Sequence, residues 1–381
     1  MSVRQSRYLK INALSCLRFL ARLRQLSAHE VGHTLGLAHN FAASSNNRAS
    51  VMDYPYPFIT LDKASQTTDF SQAYATDIGA WDKLSIAYAY ADFDGDEQTA
   101  LANIIKQAQT DKLRFVSDQQ GAHRGGAQAY SNMWDNGEQA TDELQRLLGL
   151  RQHALNAISA DNLLPHQSLG ELEDVLVPLY LFHRYQIAAT ARGIGGADYA
   201  YDTGSEQPTA KALAGSLQKQ ALKVLINALE PEHLALPKSL QSLLVPKAYG
   251  DSRDRENFKG QAGEVFSVLA PADSLAAYIV ETLLDPLRLV RAQEQQFQNA
   301  ELPSASDIVE RLLAASWLQT KAESDDYSQS SRAAVRRAVL YQVIKLAEDK
   351  ATPNEIRALM LGALKTIETR VNKTSRKSKG L

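Results

Sequence analysis

The chain has 381 residues, with 41 Lys and Arg against 43 Asp and Glu, giving a formal net charge of −2. Apolar residues at 44% and charged ones at 22% place it among globular proteins, apart from disordered and fibrous chains, and the near-neutral balance leaves no electrostatic footprint for nucleic acid. A single cysteine, Cys16, excludes an internal disulfide framework and any multi-cysteine zinc site, and no apolar run approaches the roughly 18 residues of a membrane span.

Taken in chain order, residues 1–28 carry Arg4, Arg7, Lys10, Arg18, Arg22 and Arg24, and the first acid is Glu30. Arg18 cuts short the apolar run that a signal peptide requires. Leu14, Leu17, Leu20 and Leu23 recur near helical spacing, so the start reads as a basic amphipathic helix. Residues 77–91 predict a helix that opens on an acid and sets Trp81, Leu84, Ala87 and Tyr88 on one face. Asp92, Asp94, Asp96 and Glu97 then lead into another helix through Ile104. They read as the acids a helix start favours rather than a calcium loop, because Gly95 is misplaced for one.

Residues 112–136 are turn-rich, with one short strand expected at 113–116. From 139 to 381 the pattern is helical, with stops at Gly193 and Pro231, a connection at 323–331, and a solvated basic tail from Arg370 to Lys379. His183 shares an apolar helix with Leu176, Leu179 and Phe182 and reads as a core or cleft-lining histidine. The expected fold class is mainly α, an α+β remnant whose few strands include a short pair near 112–117 and 198–202. Three segments are expected: a basic helical start over 1–28, a zinc-binding catalytic segment over 15–92, and a mostly helical region over 93–381.

The chemistry is concentrated in residues 29–54. His29-Glu30-Val31-Gly32-His33 places two histidines four apart, one helical turn and one face, where both imidazoles can reach one metal at about 2.0–2.1 Å. Glu30 lies beside that metal, placed to take a proton from a zinc-bound water and return it to a leaving amine. Gly36 is free to take a left-handed conformation that ends the helix and brings His39 round as a third ligand. Three protein ligands with an open fourth position make one catalytic Zn2+ site rather than a structural one. A chance match to the five fixed positions of His-Glu-x-x-His-x-x-Gly-x-x-His in a chain this long is on the order of one in a hundred thousand.

With Ser50-Val51-Met52-Asp53-Tyr54 behind it, the motif resembles the metzincin clan of zinc endopeptidases. Residues 29–44 and 51–55 resemble more closely a bacterial family of exported zinc-dependent metalloproteases, as do the stretches 178–186 and 194–199. The resemblance implies a zinc metallopeptidase with a peptide or protein substrate. It makes His29, His33 and His39 the zinc ligands, Glu30 the general base and Met52 the Met-turn residue under the metal. Tyr54 would ligate the resting metal or donate to the tetrahedral oxyanion. The family's exported setting suggests a periplasmic or extracellular location. In metzincins a sheet-bearing upper subdomain precedes the zinc helix, whereas 28 residues precede His29 here. The chain therefore reads as the C-terminal part of such a protein, with an upstream segment of the same parent as its expected partner. The alternatives are a zinc-binding remnant without turnover and a helical interaction protein.

Overall fold

A computed structural model describes residues 3–62, 64–201, 210–319, 323 and 325–378, with residues 3–18 and 374–378 described as helical backbone. Compact contacts divide the chain into two units. The first takes residues 1–143 and 198–211, and the second takes 144–197 and 212–381. Residues 93–143 thus belong with the histidine segment rather than with the helical region that follows it.

In the first unit, α1 runs unbroken over Val3–Thr34, so the basic start and the first two histidines lie on one helix. Where its side chains are described, from Phe19 on, the inward face is not the leucine stripe. Gln25, His29 and Gly32 are buried at helical spacing, while Phe19, Leu20, Leu23, Leu26 and Val31 are exposed. After α1 come a hairpin of β1 (Thr60–Asp62) and β2 (Thr67–Asp69), antiparallel with Leu61 opposite Thr68, then α2 (Ala80–Tyr90), α3 (Glu97–Thr110) and the single turn α4 (Asp118–Gly121). The carboxylate of Asp96 caps α3 by accepting from the Gln98 amide, which accounts for that acid before the helix.

Helix α2 corrects the expected apolar face. Its one buried residue is Asp82, and Tyr88 is exposed. The expected strand at 113–116 is also corrected, since no ladder forms there. Its backbone is held largely by side chains instead: Asn40 Nδ2 donates to the Arg114 carbonyl, the Val116 amide to Asn40 Oδ1 and the Arg114 amide to Asn46 Oδ1. Two asparagines stand where a partner strand would, which satisfies the backbone without a sheet. The second ladder pairs β3 (Ala197–Asp198) with β4 (Lys211–Ala212), and Asp202, expected in a strand, lies outside the described residues.

The second unit is helical. It runs from α5 (Ala140–Asn156, whose first turn belongs to the first unit) through α6 (Leu172–Tyr180), α7 (Arg184–Arg192), α8 (Gly215–Asn227), α9 (Pro231–Leu234) and α10 (Lys238–Gln241) to α11 (Ala270–Leu283). Then follow α12 (Pro286–Gln298), α13 (Ala305–Leu313), which a π-helical turn at Ala314–Leu318 extends, α14 (Asp326–Glu348) and α15 (Asn354–Ser378). α14 packs on both α11 and α15. Val335, Val339, Val343 and Leu346 recur every three or four residues on its buried face, and each such side chain contributes about 1.5–3 kcal/mol on burial. The stretch 370–377, expected as a tail, continues α15, and Lys379 lies outside the described residues.

The helix expected around His183 is two helices, broken at 181–183. His183 is fully buried, and neither ring nitrogen meets a hydrogen-bond partner. Burial first, then the charges of Arg151, His233 and Arg184, hold its pKa well below the ordinary value, so it is a neutral core residue. Its neighbour Arg151, equally buried, donates to the Tyr180 and His233 carbonyls at 2.6 and 2.9 Å and lies over the Tyr180 ring. The Tyr180 carbonyl ends α6, so the guanidinium meets the negative end of a helix dipole.

Candidate metal centre

The centre begins with the way α1 ends. The Leu37 amide donates to the Gly32 carbonyl and the Gly36 amide to the His33 carbonyl, both at 3.0 Å, and Gly36 has φ +82°. This pair of bonds around a left-handed glycine reverses the chain directly after the helix and carries His39 back beside it. Nothing lies within 4 Å of where a Gly36 Cβ would stand, so the constraint is the backbone conformation itself. Gly36→Ala is expected to cost about 1–2 kcal/mol, and Gly36→Asn less, read as shifts of the urea midpoint. An unchanged midpoint in Gly36→Ala would show that the turn has another stable form.

The three imidazoles converge. His33 Nε2 lies 3.1 Å from His29 Nε2 and 3.2 Å from His39 Nε2, and all three donor atoms fall within 4.8 Å of one another. Each opposite ring nitrogen is occupied. His29 Nδ1 meets the Val51 carbonyl at 2.7 Å, His33 Nδ1 meets the Leu37 carbonyl at 3.0 Å, and His39 Nδ1 meets both Asp118 oxygens at 2.9 and 3.0 Å. A carbonyl only accepts, so the Nδ1 atoms of His29 and His33 carry the protons and their Nε2 atoms present lone pairs. Lone pairs facing one another at 3.1 Å repel unless a proton or a metal ion is shared between them. Two nitrogens on a tetrahedral zinc at about 2.0–2.1 Å stand about 3.3 Å apart, so the donor set fits that ion. Burial first, then the Val51 contact in opposition and the charges of His33 and His39, lowers the His29 pKa and favours its neutral, ligating form.

Against α1 lies the turn at 50–54. Met52 is buried, and a Cβ on Gly32 would come within 2.3 Å of its Sδ, so the second variable position of the zinc motif is a glycine for close approach of the thioether. The Met52 carbonyl accepts from the Asn40 amide at 3.0 Å, joining the turn to the residue after His39. Asp82 holds the turn from the other side, accepting from Ser50 Oγ at 2.5 Å and from the Val51 and Gly79 amides at 2.8 and 2.7 Å. The Val51 carbonyl it steadies is the same one that orients His29 and accepts from Gln25 Nε2.

A family profile described as Met-zincin matches residues 18–324. The chain belongs to the Met-zincin family. Its place among the metzincin-clan zinc metallopeptidases agrees with the resemblance carried by residues 29–54. No curated protein and no solved structure matches the chain.

In this Met-zincin chain the Tyr54 ring lies 5.6 Å from His29 and 4.7 Å from His39, centroid to centroid. Burial, then the charges of Asp118 and Glu30, raises its hydroxyl above the ordinary value. Trp134 packs on Tyr54 at 5.0 Å and its amide donates to the Tyr54 carbonyl, with Trp134 itself in the left-handed region at φ 65°. That conformation is uncommon for a bulky residue and marks strain held by its surroundings. Behind Tyr54, Asp53 is buried near Asp135. Burial and then the Asp135 charge push its carboxyl well above the usual range. Glu30 is exposed on the turn of α1 that carries His29, and its charge reaches both His29 and Tyr54.

The structure thus brings together His29, His33, His39, Glu30, Met52 and Tyr54. It adds four residues absent from the sequence reading: Asn40, Asp82, Asp118 and Trp134. Gly32, within the motif, had a readable signal, since a glycine between two helical histidines lowers helix propensity without another reason.

Proposed function

We propose that the chain is a zinc-dependent endopeptidase, with His29, His33 and His39 as the ligands and Glu30 as the general base. The observation that carries this reading is the convergence of three Nε2 lone pairs whose Nδ1 partners are already engaged. Zinc, when bound, supplies Lewis acidity and makes water a nucleophile at neutral pH. Glu30 takes the proton of the attacking water on a carboxylate oxygen and delivers it to the nitrogen of the leaving amine. Tyr54, with its ring against His29 and His39, donates its hydroxyl to the scissile carbonyl oxygen as charge grows there. Met52 packs under the motif helix as an adaptable platform that keeps the rings in register.

The test is metal removal and return. Purified chain is stripped with a chelator, assayed on a casein-type substrate, and reloaded with zinc. Hydrolysis is expected to vanish and then return with one zinc per chain. Zinc uptake at that stoichiometry without cleavage would assign a metal-binding form without turnover, and no uptake would overturn the reading entirely.

A further inference from the structure

We propose that Asp118 is the positioning residue of the third ligand, acting through His39 to orient that ring toward the metal and to raise its donor strength. The proposal rests on the zinc reading above and concerns a residue 79 positions away from the one it serves. Both Asp118 oxygens face His39 Nδ1, at 2.9 and 3.0 Å, so the proton is drawn to Nδ1 and the Nε2 lone pair is turned inward to His33 Nε2 at 3.2 Å. His29 and His33 rest on neutral carbonyls, whereas His39 alone rests on a carboxylate. A charged acceptor makes the stronger hydrogen bond and leaves the imidazole more basic toward a metal. The fork also compensates for placement. His29 and His33 are held by a helix, whereas His39 sits on the returning chain after Gly36, with no secondary structure to aim it.

The surroundings are built to deliver that carboxylate. Asn40, the residue after His39, is fully buried and clamps the approaching segment through the Arg114 carbonyl and the Val116 amide. The Phe41 amide donates to the Val116 carbonyl at 2.8 Å. Gly121 lets the turn after Asp118 lie on the Phe41 ring, where a Cβ would come within 2.4 Å of a ring carbon. Ser117 is held on its other side, its amide donating to Tyr201 Oη and its hydroxyl to Asp118 Oδ2, both at 3.2 Å. Arg114 anchors the same segment to Asp198 through two bonds at 3.2 and 3.0 Å. The two residues after His39 therefore hold the segment that brings Asp118 back to it. A mere surface ion pair needs no such frame.

The test compares wild type, Asp118→Ala, Asp118→Asn, Asp118→Glu and His39→Ala by zinc competition against a chelator. Two further readouts are the visible spectrum of the cobalt-loaded protein and the His39 tautomer in metal-free protein by nitrogen–proton correlation. Asp118→Ala is expected to lose about 10–100-fold in zinc affinity. It should also shift the cobalt spectrum and replace the single Nδ1–H form of His39 with a mixture. Asp118→Asn should lose less, and Asp118→Glu should recover part of the loss. The Asp118 side chain is 60% exposed, so thermal stability of the metal-free protein should stay at the wild-type value. Unchanged affinity and tautomer in Asp118→Ala, with zinc lost in His39→Ala, would overturn this proposal and leave the zinc reading standing. A wild-type chain that takes up no zinc would overturn both.

Discussion

Glu30→Gln is expected to retain zinc at the wild-type stoichiometry and to lower peptide hydrolysis by about 100- to 10,000-fold, the range that a positioned proton carrier contributes. The argument begins with its place on α1. His29 is turned inward to the Val51 carbonyl, while Glu30, one residue on, is exposed and contributes nothing to the core. Its charge nonetheless acts on both His29 and Tyr54, so it lies within electrostatic reach of the converging rings. Gln has the same shape and cannot accept a proton from water or return one to an amine. Since no ligand atom changes, metal content by atomic absorption should not move. Turnover of the variant at the wild-type rate, under zinc-buffered conditions, would remove Glu30 from the reaction.

The legible part of this centre is the part set by local spacing. Two histidines four apart on a helix must share a face, and a glycine three residues beyond the second must be the point of reversal, as the φ of Gly36 shows. The mainly helical class was legible for the same reason, since a 3.6-residue period shows in the sequence of the segment itself. What could not be read is whatever depends on distant partners. The leucines at 14, 17, 20 and 23 promise an amphipathic α1 with an apolar face. The helix instead turns Gln25, His29 and Gly32 inward, because its neighbours offer the Val51 carbonyl and the Met52 thioether. Residues 113–116 have strand composition, yet three of their backbone groups go to the asparagine side chains at 40 and 46 and no ladder forms. Asp118 carries no periodicity that links it to His39. Asp82 reads as an ordinary acid in the first turn of a helix, a place where acids are favoured anyway.

That last residue carries the largest expected effect on stability. Asp82 is buried and accepts three hydrogen bonds, from Ser50 Oγ and from the amides of Val51 and Gly79. Removing it in Asp82→Ala leaves two buried donors and one half-buried donor without an acceptor, each buried one costing about 1–3 kcal/mol, against the smaller gain of no longer burying a charge. The net expectation is a loss of about 3–5 kcal/mol in the first unit. Asp82→Asn should fall between, because its amide nitrogen would face a donor where an oxygen now accepts. The damage should reach the metal. The Val51 carbonyl orients His29, the Met52 amide donates to Ser50 Oγ, and Gly79 packs so tightly that a Cβ would overlap the Ala49 carbonyl. The measurement is denaturant unfolding in a Trp317→Phe background, where Trp81 and Trp134 report the first unit alone, with zinc affinity read in parallel. The midpoint and the affinity should fall together in Asp82→Ala. A fall in stability with zinc binding intact would mean that His29 holds its orientation without the Val51 turn. The support of the metal would then have to lie in α1 and Asp118 alone.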